Sequence, residues 1–192
     1  MAVVVPSPKE RLLEVASLLF YAEGVHAVGV DRVIAEAGVA KATLYAHFAG
    51  KDELVAAYLA RQSQRWEDAV VQRAAAVETD SIAATLTPFD VLSEAAVAPG
   101  YRGCPFINAA AEFPEAGPVA EQITAHRQRV RTTFAGLLGA SKGTALLDGL
   151  VALYDGAMVG AYLDHDPAVV RHARRAAAAL FRAHRKTQAR RR

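Results

Sequence analysis

Apolar positions recur at intervals of three and four along most of the chain, and strand-like alternation is nearly absent. This pattern predicts an all-α protein of about nine helices. Ser7-Pro8-Lys9-Glu10 reads as a helix start, with Ser7 as the cap, Pro8 in the first turn and Glu10 three residues after the cap. Leu12, Val15, Ala16, Leu19 and Phe20 form the inner stripe of this first helix, which ends at Gly24. Val30, Val33, Ile34 and Ala37 share one face of a second, short helix. Gly38 suits the left-handed backbone of a sharp helix end, and Val39 plugs the corner after it. The third helix runs from about Ala40 to His47, with Leu44 and Phe48 pointing inward. Lys41, Thr43, Tyr45, Ala46 and His47 are left on its outer face. Two short helices around a tight turn, the second with a polar outer face, make a helix-turn-helix pattern, in which the second helix enters the DNA major groove.

The fourth helix is expected from Lys51 to about Val77, with Asp52 and Glu53 at its positive end. Leu54, Tyr58 and Leu59 continue the core of the first domain, but past Arg61 the helix becomes charged, with Trp66 as its lone aromatic. It therefore reads as a link. The domain boundary falls inside it, giving a helix-turn-helix domain over 1–60 and a second helical domain over 61–192. Glu78-Thr79-Asp80 breaks the pattern. A fifth helix follows from Ser81 to Val97, with Pro88 a candidate interruption, and Pro99-Gly100 stops it. After the segment Tyr101–Pro114 and a break at Gly117-Pro118, helices are expected over Pro118–Leu138, Lys142–Leu163 and, behind Asp166-Pro167, to about Lys186. The chain ends in a basic tail at Arg190-Arg191-Arg192.

With 192 residues, 53% of them hydrophobic, the chain can bury a sizeable core in one or two domains. A single cysteine, Cys104, excludes an internal disulfide framework and suits a reducing compartment. The N-terminus lacks the charged region of a secretory signal. No apolar run reaches the roughly 18 residues a membrane helix needs, so a cytoplasmic protein without a membrane partner is expected. The net charge of +2 is unevenly spread: residues 1–61 carry six basic and seven acidic side chains, residues 62–166 seven and thirteen, and residues 167–192 nine and none. The first domain is not basic as a whole. Affinity for DNA would have to come from a few placed cations, from helix N-termini and from dimerisation.

Leu19-Phe20, Gly24, Ile34-Ala35, Ala37-Gly38-Val39, Leu44-Tyr45, His47-Phe48, Lys51 and Glu53-Leu54 stand at the spacing of one known family. Over about residues 8–60 the chain resembles the DNA-binding domain of TetR-family transcriptional regulators. Family members often carry hydroxyl caps where this chain has Val28 and Gly29, Ala40, and Gly50; each lost cap is worth about 0.5–2 kcal/mol against Ala and little against Gly. The resemblance implies DNA contacts from Lys41, Thr43, Tyr45, Ala46 and His47. Tyr45 and His47 would meet phosphates or base edges, and Lys51 would reach a phosphate. Ala46 is too short for a hydrogen bond but suits a thymine methyl. The implied partners are a palindromic double-stranded DNA operator, a second copy of the chain, and a small-molecule effector whose binding releases a repressor from the operator. Tyr101–Pro114 also resembles a Gly-Cys-Pro-Phe block of one TetR subgroup.

The resemblance further implies that residues 61–192 bind ligand and dimerise. Phe106, Asn108, Glu112, Phe113, Phe134, Tyr154 and Met158 have the composition of an apolar pocket with a few polar groups, and equally that of plain core. The acidic surplus of the middle region favours a neutral or cationic ligand between helices 4 and 8, anchored by Asn108 or Glu112. Gly156 and Gly160 of helix 8, with Ala173, Ala177 and Leu180 of helix 9, match the family's dimer interface, or serve packing within one chain. Cys104 reads as a small buried hydrophobe or a redox sensor. None of His26, His47, His126, His165, His172 and His184 makes a tight metal-ligand spacing, and Asp164-His165-Asp166 falls where a helix cap is expected. No catalytic constellation, metal site or cofactor is expected, which leaves a ligand-independent architectural DNA-binding protein as the alternative.

Overall fold

Caps, glycines and prolines set the helix ends much as the pattern predicts. The computed structural model describes residues 6–77, 81–139 and 144–190. Among them it holds nine α-helices and no strand: α1 Pro8–Glu23, α2 Val30–Ala37, α3 Lys41–His47, α4 Lys51–Ala74, α5 Ile82–Ala96, α6 Pro105–Glu112, α7 Pro118–Leu138, α8 Thr144–Leu163 and α9 Ala168–Ala189. Residues 1–5, the expected break at 78–80, the expected start of α8 at Lys142 and the tail at Arg191–Arg192 lie outside the described residues. Helix α4 stops at Ala74, three residues short of expectation.

Pro88 does not interrupt α5. A proline inside a helix leaves the carbonyl four residues back without its usual donor. Here that carbonyl is Ala84 O, and the Thr87 hydroxyl donates to it at 2.8 Å. All six residues from Ala84 to Phe89 are buried, as suits a helix surrounded by others.

The chain divides into two compact units. The first comprises Met1–Ser63 and Pro105–His126, so it takes in α6 and the start of α7 beside the predicted head. Its core holds Leu12, Ala16, Phe20, Val28, Val33, Leu44, Leu54, Tyr58 and Leu59, all nearly inaccessible, with the Phe20 and Tyr58 rings edge-on at 5.8 Å.

The second unit comprises Gln64–Cys104 and Arg127–Arg192. Phe89, Phe134 and Tyr154 meet edge-to-face at its centre, with centroids 5.7–6.1 Å apart. Buried Tyr154 accepts a hydrogen bond from Trp66 Nε1 at 2.9 Å, and burial raises its phenol pKa. Helix α9 packs chiefly on α8 and then on α5, and Arg174 grips Asp90 of α5 with Nε at 2.6 Å and Nη2 at 3.3 Å.

By length and composition α8 could cross a membrane, contrary to the expectation from apolar runs. Its buried Leu146, Leu150, Val151, Tyr154, Ala157 and Ala161 belong to the core shared with α5, α7 and α9, which accounts for its apolarity. Four acids of the middle region pair with arginines: Glu67 with Arg129, Glu94 with Arg73, Asp148 with Arg131, Asp155 with Arg127. Glu112 and Glu115 of the same region border a recess with Asp52.

Candidate nucleic-acid interface

Helix α3 is held by two residues. Leu44 is wholly buried and Phe48, just past the last turn, is 5% exposed. The turn before α3 depends on Gly38, whose φ of 61° and ψ of 44° are left-handed. Its N–H donates to Ala35 O at 3.2 Å, and Val39 N–H donates to Ile34 O at 3.3 Å, which closes the end of α2. Neither Gly29 before α2 nor Ala40 before α3 makes a side-chain cap bond, in line with the missing hydroxyls. The head is braced instead by Arg32, which holds Glu23 with Nη1 and Nη2 at 2.6 and 2.8 Å and Glu36 with Nε at 2.8 Å.

This scaffold turns one face of α3 outward. Lys41, Tyr45, Ala46 and His47 are exposed, Tyr45 to 50%, while Thr43 is half-buried. Lys51, at the first position of α4, is half-buried and makes no hydrogen bond or ion pair with the described residues. Lys41 differs: its Nζ sits 2.9 Å from Asp31 Oδ1, and that hydrogen bond raises its pKa. Sequence reasoning missed Asp31, because a pairing ten residues apart across a turn has no periodic signature. A row of one phenol, one imidazole, one methyl and cations at either end can meet phosphates and base edges.

The residues proposed for a ligand pocket are divided between the two units. Phe106, Asn108, Glu112 and Phe113 lie in the first unit, and Phe134, Tyr154 and Met158 in the second. Phe134 and Tyr154 belong to the aromatic centre of the second unit, and the half-buried Met158 packs against that core. Phe106 stacks on His126, with ring centroids 3.6 Å apart and planes within 5°. Glu112 is engaged by the chain itself: Val25 N–H donates to Oε1 at 3.0 Å and His26 N–H to Oε2.

The proposed dimer residues also divide. A Cβ on Gly156 would meet nothing within 4 Å, so this position faces outward. A Cβ on Gly160 would come within 2.9 Å of Val169 Cγ1, and Ala177 is wholly buried. Gly160 and Ala177 therefore serve α8–α9 packing within one chain, while Ala173 and Leu180 are half-buried at the same seam. Gly149 plays the same part: its Cβ would lie 2.8 Å from Leu180 Cδ2. Asp166 caps α9 by accepting from Ala168 N–H at 2.8 Å, and Cys104 is half-buried. Among the described residues no three His, Cys, Asp or Glu side chains converge on a metal site.

Residues 12–58 match the family model described as "Bacterial regulatory proteins, tetR family". The HTH-type transcriptional activator FasR of Mycolicibacterium smegmatis is 47% identical over 51 residues, which span 27% of this chain and only 23% of that protein. SCO4454, a TetR-family transcriptional regulator from Streptomyces coelicolor, superposes with a TM-score of 0.85 at 37% identity, covering 93% of this chain and 91% of that one. A second solved structure, a TetR-type regulator from Streptomyces avermitilis, superposes with a TM-score of 0.74 at 28% identity over 90% of this chain and 98% of its own.

Proposed function

The chain belongs to the TetR family of DNA-binding transcriptional regulators, and we propose that it is a ligand-responsive repressor, released as a homodimer from a palindromic operator by a small molecule. Residues 1–60 bind the DNA and residues 61–192 carry ligand response and dimerisation, with the Gly-Cys-Pro-Phe block at Gly103–Phe106 marking its subgroup.

The observation that carries the DNA reading is the outer face of α3. Leu44 and Phe48 fix the helix from behind, and Tyr45, Ala46 and His47 are left exposed, free to meet a groove. Because the head is not basic overall, two heads acting together supply the affinity that one lacks. The outer face of α8 supports a homodimer. Ala145, Ala152, Gly156, Val159 and Leu163 are exposed there at helical spacing, Leu163 to 66%. On α9, Ala176, Ala179 and Ala183 are exposed in the same manner. Small and apolar residues side by side on two helices are suited to close packing against the same pair in a second chain. Two heads held about 34–36 Å apart would read successive major-groove faces, and an effector would act by favouring a different spacing.

The test is selection of duplexes from a random-sequence library, followed by a transcription reporter carrying the selected duplex. Repression that depends on Tyr45 and His47, and that one compound from a thermal-shift screen relieves, is the expected result. Activation by the reporter overturns the repressor reading. Binding without sequence preference, with no compound shifting it, favours the architectural alternative.

A further inference from the structure

Glu112 stands at an unfavourable place for a carboxylate, the last residue of α6, where the helix dipole presents its negative end. What holds it there is the turn after α1. Gly24 has a φ of 95°, and the two N–H groups that follow it, those of Val25 and His26, both point at the Glu112 carboxylate. Successive N–H groups beside a positive-φ glycine form an anion-binding concavity, and here a side chain of the same protein fills it. The fit is close: a Cβ on Gly24 would lie 3.4 Å from Glu112 Oε1. His26 adds its ring, with Nδ1 3.7 Å from Oε2 and its centroid 5.1 Å from that of Phe113.

The other end of α6 is also tied. Phe106 stacks on His126 of α7, and His126 Nδ1 lies 2.9 Å from Oγ of the buried Ser63 on α4. An eight-residue helix of about 12 Å thus joins the α4–α7 pair to the α1–α2 turn, all within one compact unit. Val25 and Val28 of this turn are buried in the core, and beside it Arg32 bridges α1 and α2. Moving α6 by one ångström would break two charge-assisted hydrogen bonds to the turn that leads into α2 and α3.

We infer that Glu112 is a positioning residue for DNA recognition: through the backbone nest at Gly24–His26 it makes α6 a strut that fixes the helix-turn-helix head against α4. This rests on the DNA-binding reading above, and the experiment separates the two. The intact protein is compared with Glu112→Ala and Glu112→Gln, and with Glu115→Ala, which removes the same charge from the exposed α6–α7 loop. Hydrogen exchange without DNA is read first. In Glu112→Ala the amides of Val25 and His26 should exchange about tenfold faster, as expected when a charge-assisted bond is lost, while the core amides of α1 keep their protection. Glu112→Gln retains one acceptor and should fall between. Unchanged exchange at Val25 and His26 would overturn the latch. Binding is then measured to library-selected duplexes resynthesised with one base pair added or removed between half-sites, a shift of about 3.4 Å. The ratio of affinities for correct and altered spacing does not depend on the active fraction. It should fall at least about threefold in Glu112→Ala and stay unchanged in Glu115→Ala. Faster exchange with an unchanged spacing ratio would show a local staple and overturn the positioning role. Failure of the wild-type chain to select any duplex would overturn the DNA reading itself, and the positioning role with it.

Discussion

Replacing Lys51 by alanine removes a half-buried cation that has no ion-pair partner among the described residues, so its charge is available to a phosphate. In a homodimer each substitution is made twice. The logarithm of the affinity falls with the logarithm of salt concentration with a slope of about −0.9 per phosphate neutralised. Losing two contacts should therefore flatten the slope by about 1.8. Between 50 and 200 mM salt, a fourfold change, the affinity lost by the variant should be about twelvefold smaller than that lost by the wild-type protein. Lys41→Ala should flatten it less, because Lys41 already shares its charge with Asp31 at 2.9 Å. Asp31→Asn should tighten binding, since it removes a competing anion from the same face. The assay is fluorescence anisotropy on a selected duplex at five salt concentrations. An unchanged slope in Lys51→Ala would show that Lys51 meets no phosphate, and a Lys41→Ala effect larger than that of Lys51→Ala would refute the reasoning from pairing.

Gly156→Leu should shift sedimentation toward monomer while leaving the secondary structure intact, because a Cβ there meets nothing of its own chain; Gly160→Leu should instead destabilise the fold, by about 1–3 kcal/mol or more from overpacking against Val169. Thr87→Val should cost about 1–3 kcal/mol in chemical denaturation by stripping the donor from Ala84 O, and much less in a Pro88→Ala background, where a backbone N–H replaces it; equal costs in the two backgrounds would reject the compensation. Tyr154 holds its proton more tightly folded than unfolded, so the stability it contributes is complete below about pH 10 and is lost as pH rises above that value, by about 1.4 kcal/mol per pH unit. Tyr154→Phe should flatten this alkaline limb in denaturation curves, and an unaltered limb would place the titration elsewhere.

The helices were legible because their signals are local. Ser7 and Ser81 each accept a bond from the N–H three residues on, and Gly24 and Gly38 end α1 and α2 with positive φ. A motif that depends on spacing within fifty residues, such as Gly38, Leu44 and Phe48, survives translation into geometry almost unchanged. What failed to show was everything that joins distant segments. Nothing at Glu112 marks it as a partner of Val25, 87 residues away. Gly156 and Gly160 look alike in a string, but helix rotation turns one outward and the other onto Val169. Pro88 signals a break only if its neighbour is ignored; Thr87 supplies the missing donor, and a hydroxyl next to a proline is visible only to a reader who asks where Ala84 O finds its partner.

The division into units sharpens the functional reading. Prediction from the chain puts the boundary inside α4 near residue 60, and the compact units change over at Ser63–Gln64. Yet the first unit also claims α6 and the start of α7 from a part of the chain assigned to ligand binding. Two of its residues, Phe106 and Glu112, were candidates for a pocket because they are an aromatic and an acid in an apolar stretch. Their observed partners are His126 and the Gly24–His26 turn, and Glu112 also borders a recess with Asp52, Phe113 and Glu115. On the proposed ligand-responsive reading, an effector changes DNA affinity only if some element has different energies in two arrangements of the head. Under the positioning role inferred for it, the Glu112 carboxylate would be such an element, since its two bonds to backbone N–H groups are lost over a displacement of about one ångström, far less than the step between adjacent base pairs.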